Sequence, residues 1–411
     1  MNTIWRSEKN MLAAYRMPGG HCIYVQALQL NQLGQWLETG ESNPLVQQLI
    51  NDFGLPETPS QEERLHYKKL IEATRTVSPP LRSLTAPEVI NLELTTRCPL
   101  RCPQCYCTLE NGRDLNPETA EKALEEAAAM KVPNINLSGG ETLAYPHLDR
   151  LLRKIRALGM HSSIAISGWG FHRERLGQLK EAGVDDVYVS LNGSTEAVNR
   201  LSRDGFSEAL NALRLLQEDG ETKAYINWVA REDNIADFPD LVRMAEAHNM
   251  DGVVILETKP DAAMGIQSPI KKESLLQLAA YLKERRRQKE SMPVMVEPCF
   301  SPLKAELGKS FFFNHNQGIH RGCGAGRNGA ALDVDGNWTP CRHVMTPETY
   351  PSLEAYWLHS PILKDLRDHE ANRDHSCETC ELKANCLPCR AAGHDYQCPM
   401  AEEYPIDGSS C

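Results

Sequence analysis

Residues 94–106 read LTTRCPLRCPQCY, which places Cys98, Cys102 and Cys105 at the spacing C-x3-C-x2-C. Three thiolates can hold three irons of a [4Fe–4S] cluster and leave the fourth iron open, whereas a fully ligated electron-transfer cluster needs four cysteines. An open metal position is what distinguishes catalytic from structural sites. The alternative is a zinc knuckle that takes a further ligand from elsewhere, such as Cys107.

This loop opens a segment, residues 87–295, in which short apolar strands alternate with amphipathic helices. Such alternation is typical of an α/β fold with a parallel sheet, either curled into a partial barrel or left open. Helices are predicted near 117–130, 146–158, 171–182, 207–217, 236–249 and 273–289. The predicted strands are Val89–Thr95, Asn134–Ser138, Ser162–Ser167, Asp186–Leu191, Ala224–Val229 and Gly252–Leu256.

Polar residues and glycines follow several of these strands. The second strand ends in SGGET (138–142), the third in ISG (166–168) and the fourth in VSLNG (189–193), with RDGF (203–206) soon after. In parallel barrels the carboxyl ends of the strands form the face that carries the active site. We therefore expect these clusters to lie beside the cysteine loop.

Over about residues 88–260 the sequence closely resembles the radical S-adenosylmethionine (SAM) superfamily. The resemblance implies a partial (β/α)6 TIM-like barrel, with a cluster on Cys98, Cys102 and Cys105 whose fourth iron is chelated by SAM. It also implies roles for other positions: Gly139, Gly140 and Glu141 at the SAM amino group, Ser167 as a polar contact, Ser190 and Asn192 on the ribose side, and Arg203 at the carboxylate.

Two positions depart from the family's pattern. Gln104 precedes the third cysteine, where an aromatic residue commonly packs on adenine. Asn192 stands where an acid is usual. The resemblance is weaker at these two contacts than elsewhere.

Nine of the 14 cysteines lie after residue 298. A reducing compartment favours metal or redox use for so many thiols, and Cys-x2-Cys pairs alone are also compatible with a zinc ribbon. The order of residues 296–411 is similar to the SPASM extension of radical SAM enzymes, a loop-rich domain that usually holds two auxiliary [4Fe–4S] clusters. That resemblance implies a first ligand set of Cys323, Cys341 and Cys389 with Cys299 as candidate fourth, and a second set of Cys377, Cys380, Cys386 and either Cys411, which is favoured, or Cys398.

Residues 1–86 predict a hairpin, Met11–Met17 and His21–Ala27, followed by helices at Gln32–Glu38, Leu45–Phe53 and Gln61–Thr74. This pattern resembles the winged-helix-like recognition element of enzymes that modify ribosomally made peptides (RiPPs). That element captures a leader peptide as an added strand. The alternative is a structural extension packed on the barrel.

The net charge of −11, without a long basic run, argues against nucleic acid as a partner. No apolar run approaches a membrane span, and the N-terminus lacks a signal-peptide pattern, so a cytoplasmic protein is expected. The family resemblance implies a ribosomal precursor peptide as substrate. It also implies an electron donor such as flavodoxin or ferredoxin.

The sequence thus predicts a peptide maturase. Reductive cleavage of SAM would give a 5′-deoxyadenosyl radical, which takes hydrogen from the precursor, and a crosslink would follow, either thioether or carbon–carbon (cyclophane). Three alternatives stay open at this point: an anaerobic sulfatase-maturing type of enzyme, a peptide epimerase, and a non-catalytic zinc-stabilised interaction protein.

Overall fold

The computed structural model describes most of the chain, and no helix within that part is long and apolar enough to cross a bilayer. The described residues are 2–18, 21–105, 107, 112–259, 268–290, 292–308, 322–344, 346–368, 380–384, 386–387, 389 and 398–400.

The N-terminal unit is an antiparallel sheet of order β1-β2-β3 covered by three helices. Its core includes Leu12, Val25, Leu33, Trp36 and Leu49. The elements are β1 (Asn2–Glu8), β2 (Met11–Met17), β3 (Cys22–Gln26), α1 (Ala27–Thr39), α2 (Pro44–Phe53) and α3 (Gln61–Thr76).

The structure corrects the predicted hairpin in two ways. Strand β1 was not expected, because its apolar residues do not alternate and its inward-facing Arg6 and Glu8 are charged yet buried. Strand β2 therefore lies in the middle of the sheet, and β3 is an edge strand that pairs, among the described residues, with β2 alone. Helix α1 begins at Ala27, five residues before the predicted start, where a capping box at Gln26 closes its first turn.

The central segment confirms the predicted α/β architecture. Six parallel strands follow one another in chain order across the sheet, each within two residues of the predicted bounds. They are β4 (Val89–Glu93), β5 (Asn134–Ser138), β6 (His161–Ile166), β7 (Asp186–Ser190), β8 (Lys223–Ala230) and β9 (Gly252–Glu257). Their helices are α4 (Pro117–Ala129), α5 (Leu148–Ala157), α6 (Arg173–Ala182), α7 (Glu196–Asn199), α8 (Phe206–Asp219), α9 (Phe238–Ala247) and α10 (Lys272–Arg287).

The C-terminal segment extends this sheet at both edges. Strand β10 (Val294–Val296) pairs with β9, β11 (Gly329–Leu332) pairs with β4, and β12 (Trp338–Thr339) pairs with β11. Strand β10 therefore runs across residue 295, where the sequence predicts a domain boundary. Helices α11 (Ser301–Leu307), α12 (Leu353–His359) and α13 (Pro361–Arg367) pack on the barrel, and Trp357 is fully buried in the same core as Leu92.

A buried charged cluster joins the N-terminal sheet to the barrel. The Arg6 guanidinium donates to Glu8 at 2.7 Å and to the Tyr15 hydroxyl at 2.9 Å. Tyr15 in turn donates to Glu88 at 3.0 Å, and the Tyr24 hydroxyl also contacts Glu88. Glu88 immediately precedes β4, so all three N-terminal strands are fixed to the strand that leads into the cysteine loop.

Candidate active site

The cysteine loop leaves the end of β4 and is held by neighbouring polar side chains. Thr95 Oγ1 donates to Asp114 at 2.6 Å, and the Arg101 backbone N–H donates to Asp204 at 3.1 Å. Burial raises the pKa of the Cys98 thiol, and the thiols of Cys102 and Cys105 raise it further. The three sulfur atoms predicted to bind the cluster therefore lie near one another.

The fourth cysteine of this loop, Cys107, is hydrogen-bonded within the protein. The Cys107 thiol donates to the Gly139 carbonyl at 3.6 Å. The pKa of the Cys107 thiol is raised well above the usual value. The largest cause is a hydrogen bond with Cys105, and burial is the next. Within the described part of the chain, no three Cys, His, Asp or Glu side chains converge on one point where a single ion could sit. A [4Fe–4S] cluster distributes its ligands over separate irons and needs no such convergence.

The paired glycines after β5 allow two loops to touch. The Gly140 N–H donates to the Thr95 carbonyl at 2.6 Å, and the Glu141 N–H donates to the Arg97 carbonyl at 2.7 Å. A Cβ on Gly139 would lie 2.5 Å from the Thr95 oxygen, and one on Gly140 would lie 2.4 Å from the Arg97 oxygen. The glycines thus let the β5 loop pack directly on the backbone that carries Cys98.

Glu141 and Ser167 meet, although they follow different strands. The Glu141 carboxylate is buried and accepts hydrogen bonds from the Ser167 N–H at 2.9 Å and from the Ser167 hydroxyl. It also accepts from the Leu143 N–H at 3.1 Å. Burial raises the pKa of Glu141, while these bonds and the nearby Arg203 charge act to lower it. Two residues predicted separately therefore form one hydrogen-bonded unit.

Two buried polar atoms at this face have no hydrogen-bond partner among the described residues: Ser138 Oγ at the end of β5 and Arg203 Nε. Buried polar atoms are nearly always paired, so such a group at the end of a barrel strand indicates a missing polar ligand. Since the Arg203 charge acts on Glu141, both atoms belong to the face that holds the cysteine loop. The residues present thus fit a ligand with polar groups, such as the amino-acid end of SAM.

The two residues predicted on the ribose side, Ser190 and Asn192, differ in their contacts. The Asn192 amide donates to Ser202 Oγ at 2.8 Å and accepts from the Val229 N–H at 3.1 Å, so its side chain ties β8 to the loop after β7. Ser190 is the last residue of β7 and pairs in register with Asn227 of β8. The ribose contacts predicted for Ser190 and Asn192 stay a prediction.

Four C-terminal cysteines also come together. The pKa of Cys299 is raised, and the largest cause is a hydrogen bond with Cys323. Cys299 also forms a hydrogen bond with Cys389. Burial raises the pKa of Cys341 to about 11, and the Cys389 thiol contributes. This brings Cys299, the candidate fourth ligand, to the other three. For the second auxiliary set, Cys377 and Cys411 lie outside the described residues, while Cys380, Cys386 and Cys398 are half-buried.

Sequence reasoning missed two cations beside these sites, of which Lys259 is buried and Arg342 is half-buried. Lys259 follows β9, is only 8% exposed, and contacts the Glu297 carboxylate. Its charge acts on Cys299 and Cys389. Arg342 directly follows Cys341, and its guanidinium interacts with Glu93 and Cys105 while burial lowers its pKa. Active-site residues of parallel barrels follow the carboxyl ends of the strands, and the same rule applied to β9 would have identified Lys259.

Comparison with known proteins agrees with this geometry. Residues 92–245 match the family model of the radical SAM superfamily. The chain is similar to the PqqA peptide cyclase of Ruegeria pomeroyi, with 28% identity over 316 residues that cover 73% of this chain and 80% of the relative.

Two solved structures share the fold. Streptococcus suis SuiB bound to precursor peptide SuiA superposes with a TM-score of 0.72 at 17% identity, and the match covers 98% of each chain. The anSMEcpe structure with bound AdoMet and Cp18Cys peptide gives a TM-score of 0.57 at 14% identity, covering 76% of this chain and 92% of the other. The residues matched by the family model include the cysteine loop together with Glu141, Ser167 and Arg203, so these residues lie within a radical SAM domain.

Proposed function

We propose that this enzyme modifies a ribosomal precursor peptide and installs a thioether or carbon–carbon (cyclophane) crosslink in it. The observation that carries the proposal is the joining of a three-cysteine loop, packed on a buried Glu141–Ser167 unit, to an N-terminal sheet with a free edge strand. The name of the Ruegeria relative and the peptide in the SuiB structure support a peptide substrate.

At the first site, Cys98, Cys102 and Cys105 would hold the cluster, and Arg203 would bind the SAM carboxylate. Glu141 would accept from the SAM amino group, oriented for this by the two Ser167 hydrogen bonds. The cluster and SAM together supply reductive cleavage of SAM and a radical that abstracts hydrogen. The protein positions the target carbon and excludes water.

We infer that residues 1–86 bind the leader as an added strand. A cleft of about 730 Å³ runs along β3 and faces α2, with Cys22, Ile23, Gln48, Asp52 and Phe53 among its lining residues. Within the described residues, the outer side of β3 pairs with no other strand. An extended peptide there would gain main-chain hydrogen bonds from β3 and side-chain contacts from α2.

Residues 87–295 would form the radical SAM core and residues 296–411 the SPASM domain with two auxiliary clusters. If Cys299, Cys323, Cys341 and Cys389 all bind the first auxiliary cluster, no iron would be left open, which would favour electron transfer over substrate binding there. Closing a crosslink removes a second electron from the peptide after hydrogen abstraction, and this cluster is suited to accept it. A flavodoxin or ferredoxin would supply the electron for SAM cleavage, and the cytoplasm is the expected compartment.

The test is anaerobic purification with cluster reconstitution, followed by incubation with SAM, a reductant and the precursor peptide. We expect about twelve irons per chain, the sum for three four-iron clusters. We also expect 5′-deoxyadenosine formation and a peptide that is lighter by two hydrogens. A colourless zinc protein would reject the proposal. An unchanged peptide mass with an inverted stereocentre would show that the enzyme epimerises the peptide and does not crosslink it.

Deletion of residues 1–86 distinguishes a leader-dependent maturase from the sulfatase-maturing type of enzyme. A leader-dependent maturase should lose modification of the full precursor, whereas a sulfatase-maturing type needs no leader-binding unit. Because the deletion exposes Glu88 and its neighbours, binding of a leader peptide to the full chain is the companion measurement. Leader binding should disappear when Ile23→Pro interrupts the edge strand, while SAM cleavage should persist.

A further inference from the structure

Gln104 stands between Cys102 and Cys105, at the position where an aromatic residue commonly packs on adenine. In this structure both ends of its side chain are engaged within the protein. Gln104 Nε2 donates to the Lys259 carbonyl at 3.2 Å, and Gln104 Oε1 accepts from Arg231 Nη1. Its backbone N–H donates to the Ser202 carbonyl at 3.3 Å.

The Arg231 partner is itself held rigidly. Arg231 is 3% exposed, and its guanidinium makes two bonds to Asp233, from Nε at 2.8 Å and from Nη2 at 2.6 Å. The Arg231 backbone N–H donates to Asn234 Oδ1 at 2.9 Å. Because the Arg231 charge is already balanced by Asp233, Gln104 meets a fixed, neutralised donor. A neutral amide suits this position better than a carboxylate or an aromatic ring.

The second partner belongs to the end of the sixth barrel strand. Lys259 lies just after β9, and its ammonium contacts Glu297 next to the Cys299 site. Gln104 therefore ties the segment that carries the third cysteine to the ends of both β8 and β9. These contacts span 155 and 127 residues of sequence, so no local preference of the loop produces them.

We propose that Gln104 is a positioning residue for SAM cleavage. It fixes the Cys102–Cys105 segment against β8 and β9 through its side chain, and so sets the place of the cluster and of the adjoining SAM site without packing on adenine. This inference rests on the proposed role of the three cysteines. It predicts that an aromatic residue at this position weakens SAM binding, although the family's common pattern would predict the opposite.

The test compares Gln104→Leu, Gln104→Phe and Gln104→Glu in the full chain, reconstituted anaerobically. Iron content, the SAM dissociation constant and the electron paramagnetic resonance (EPR) spectrum of the reduced cluster with and without SAM are measured. Gln104→Leu and Gln104→Phe remove both side-chain hydrogen bonds and should weaken SAM binding about tenfold, as expected for the loss of two hydrogen bonds. In both variants, SAM should change the EPR spectrum of the reduced cluster less than it does in the wild type, or should give broader lines.

Gln104→Glu keeps the acceptor for Arg231 and removes only the donor to the Lys259 carbonyl, so its SAM affinity should lie between the wild type and Gln104→Leu. The matched control is Gln178→Leu on the exposed face of α6, which should bind SAM as the wild type does. If Gln104→Leu fails to bind iron, the other two variants decide.

SAM affinity in Gln104→Phe that equals or exceeds that of the wild type would overturn the inference. So would a Gln104→Leu enzyme within twofold of the wild type in both affinity and spectrum. Wild-type protein that binds no iron or SAM would instead contradict the proposed function.

Discussion

The two cysteine sites of this enzyme are built in opposite ways. The first takes Cys98, Cys102 and Cys105 from one short loop, and the buried polar atoms Ser138 Oγ and Arg203 Nε at the same face have no partner in the part of the chain that the structure describes. The second gathers Cys299, Cys323, Cys341 and Cys389 from 91 residues of chain.

This difference in construction corresponds to a difference in chemistry. A site with three thiols and unpaired polar atoms has room for a reacting ligand. A site saturated by four thiols beside a buried lysine suits electron transfer. The predictions below test that division of labour, beginning with the largest expected effect.

Removing one thiol from each site should separate the two roles. Cys98→Ala should abolish 5′-deoxyadenosine formation, because the proposed SAM-binding cluster would lose one of its three ligands. Cys299→Ala should retain 5′-deoxyadenosine formation and lose crosslinked peptide. Chromatography of the nucleoside and mass spectrometry of the peptide measure both. Equal loss of 5′-deoxyadenosine in the two variants would contradict a division between the sites.

Close packing of the β5 loop should matter only at the first site. Gly140→Ala places a methyl group 2.4 Å from the Arg97 oxygen, which forces the cysteine loop to move. We expect loss of most of the SAM-responsive cluster and retention of the auxiliary iron, measured by iron analysis and EPR.

The control is Gly177→Ala, where a Cβ would meet nothing within 4 Å. In helix α6 that change should be neutral or slightly stabilising, since alanine favours helix by about 1 kcal/mol over glycine. Normal SAM binding by Gly140→Ala would show that the loop contact is dispensable.

Arg203, whose Nε has no hydrogen-bond partner among the described residues, should contribute to ligand affinity at the first site. Arg203→Gln is expected to raise the SAM dissociation constant about 10- to 100-fold, since a charged hydrogen bond is worth about 1.5–3 kcal/mol. Arg200→Gln, on an exposed residue one turn earlier, serves as the control. Equilibrium binding under anaerobic conditions measures both, and equal affinities would remove Arg203 from the site.

At the second site, the buried ammonium of Lys259 should raise the reduction potential of the auxiliary cluster. Lys259→Met removes a positive charge that acts on Cys299 and Cys389, so reduction should become harder by on the order of 50 mV. A potentiometric titration followed by EPR measures the shift. Lys283→Met, on the exposed face of α10, should leave the potential unchanged. If Lys259→Met shifted only the reduction potential of the SAM-binding cluster, the proposed effect of Lys259 on the auxiliary cluster would be contradicted.

The smallest effect concerns a buried charged cluster that carries no cysteine. Burial raises the folded-state pKa values of Glu8 and Glu88, and Arg6 offsets this only in part. A raised carboxyl pKa means that the folded state binds more protons than the unfolded state. The free energy of unfolding should therefore fall as pH rises from about 4.5 through the folded-state pKa.

Glu88→Gln should reduce this pH dependence, because the amide cannot ionise. Chemical denaturation at several pH values measures it, with exposed Glu62→Gln as the control. Identical slopes for Glu88→Gln and the wild type would mean that Glu88 does not titrate in this range.

Much of this enzyme was predictable because its signals are local. Each barrel strand was placed within two residues, since an apolar run between a helix cap and a glycine marks a buried parallel strand. The cluster loop was recognisable from the spacing of three cysteines, and the strand-end rule brought Glu141, Ser167 and Arg203 to the same face. Strand β1 escaped prediction because its buried Arg6 depends on charged groups that include Glu88, which is distant in sequence.

By itself, the sequence determined the parallel α/β barrel, the cysteine loop and the residues at its strand ends. Periodicity and motif spacing are properties of short stretches of chain. Only the tertiary structure decided that Glu141 binds Ser167, that Cys299 joins the other three auxiliary thiols, and that Gln104 is held by Arg231 and Lys259. These contacts join residues 24 to 155 positions apart, and their geometry depends on how the strands and loops pack.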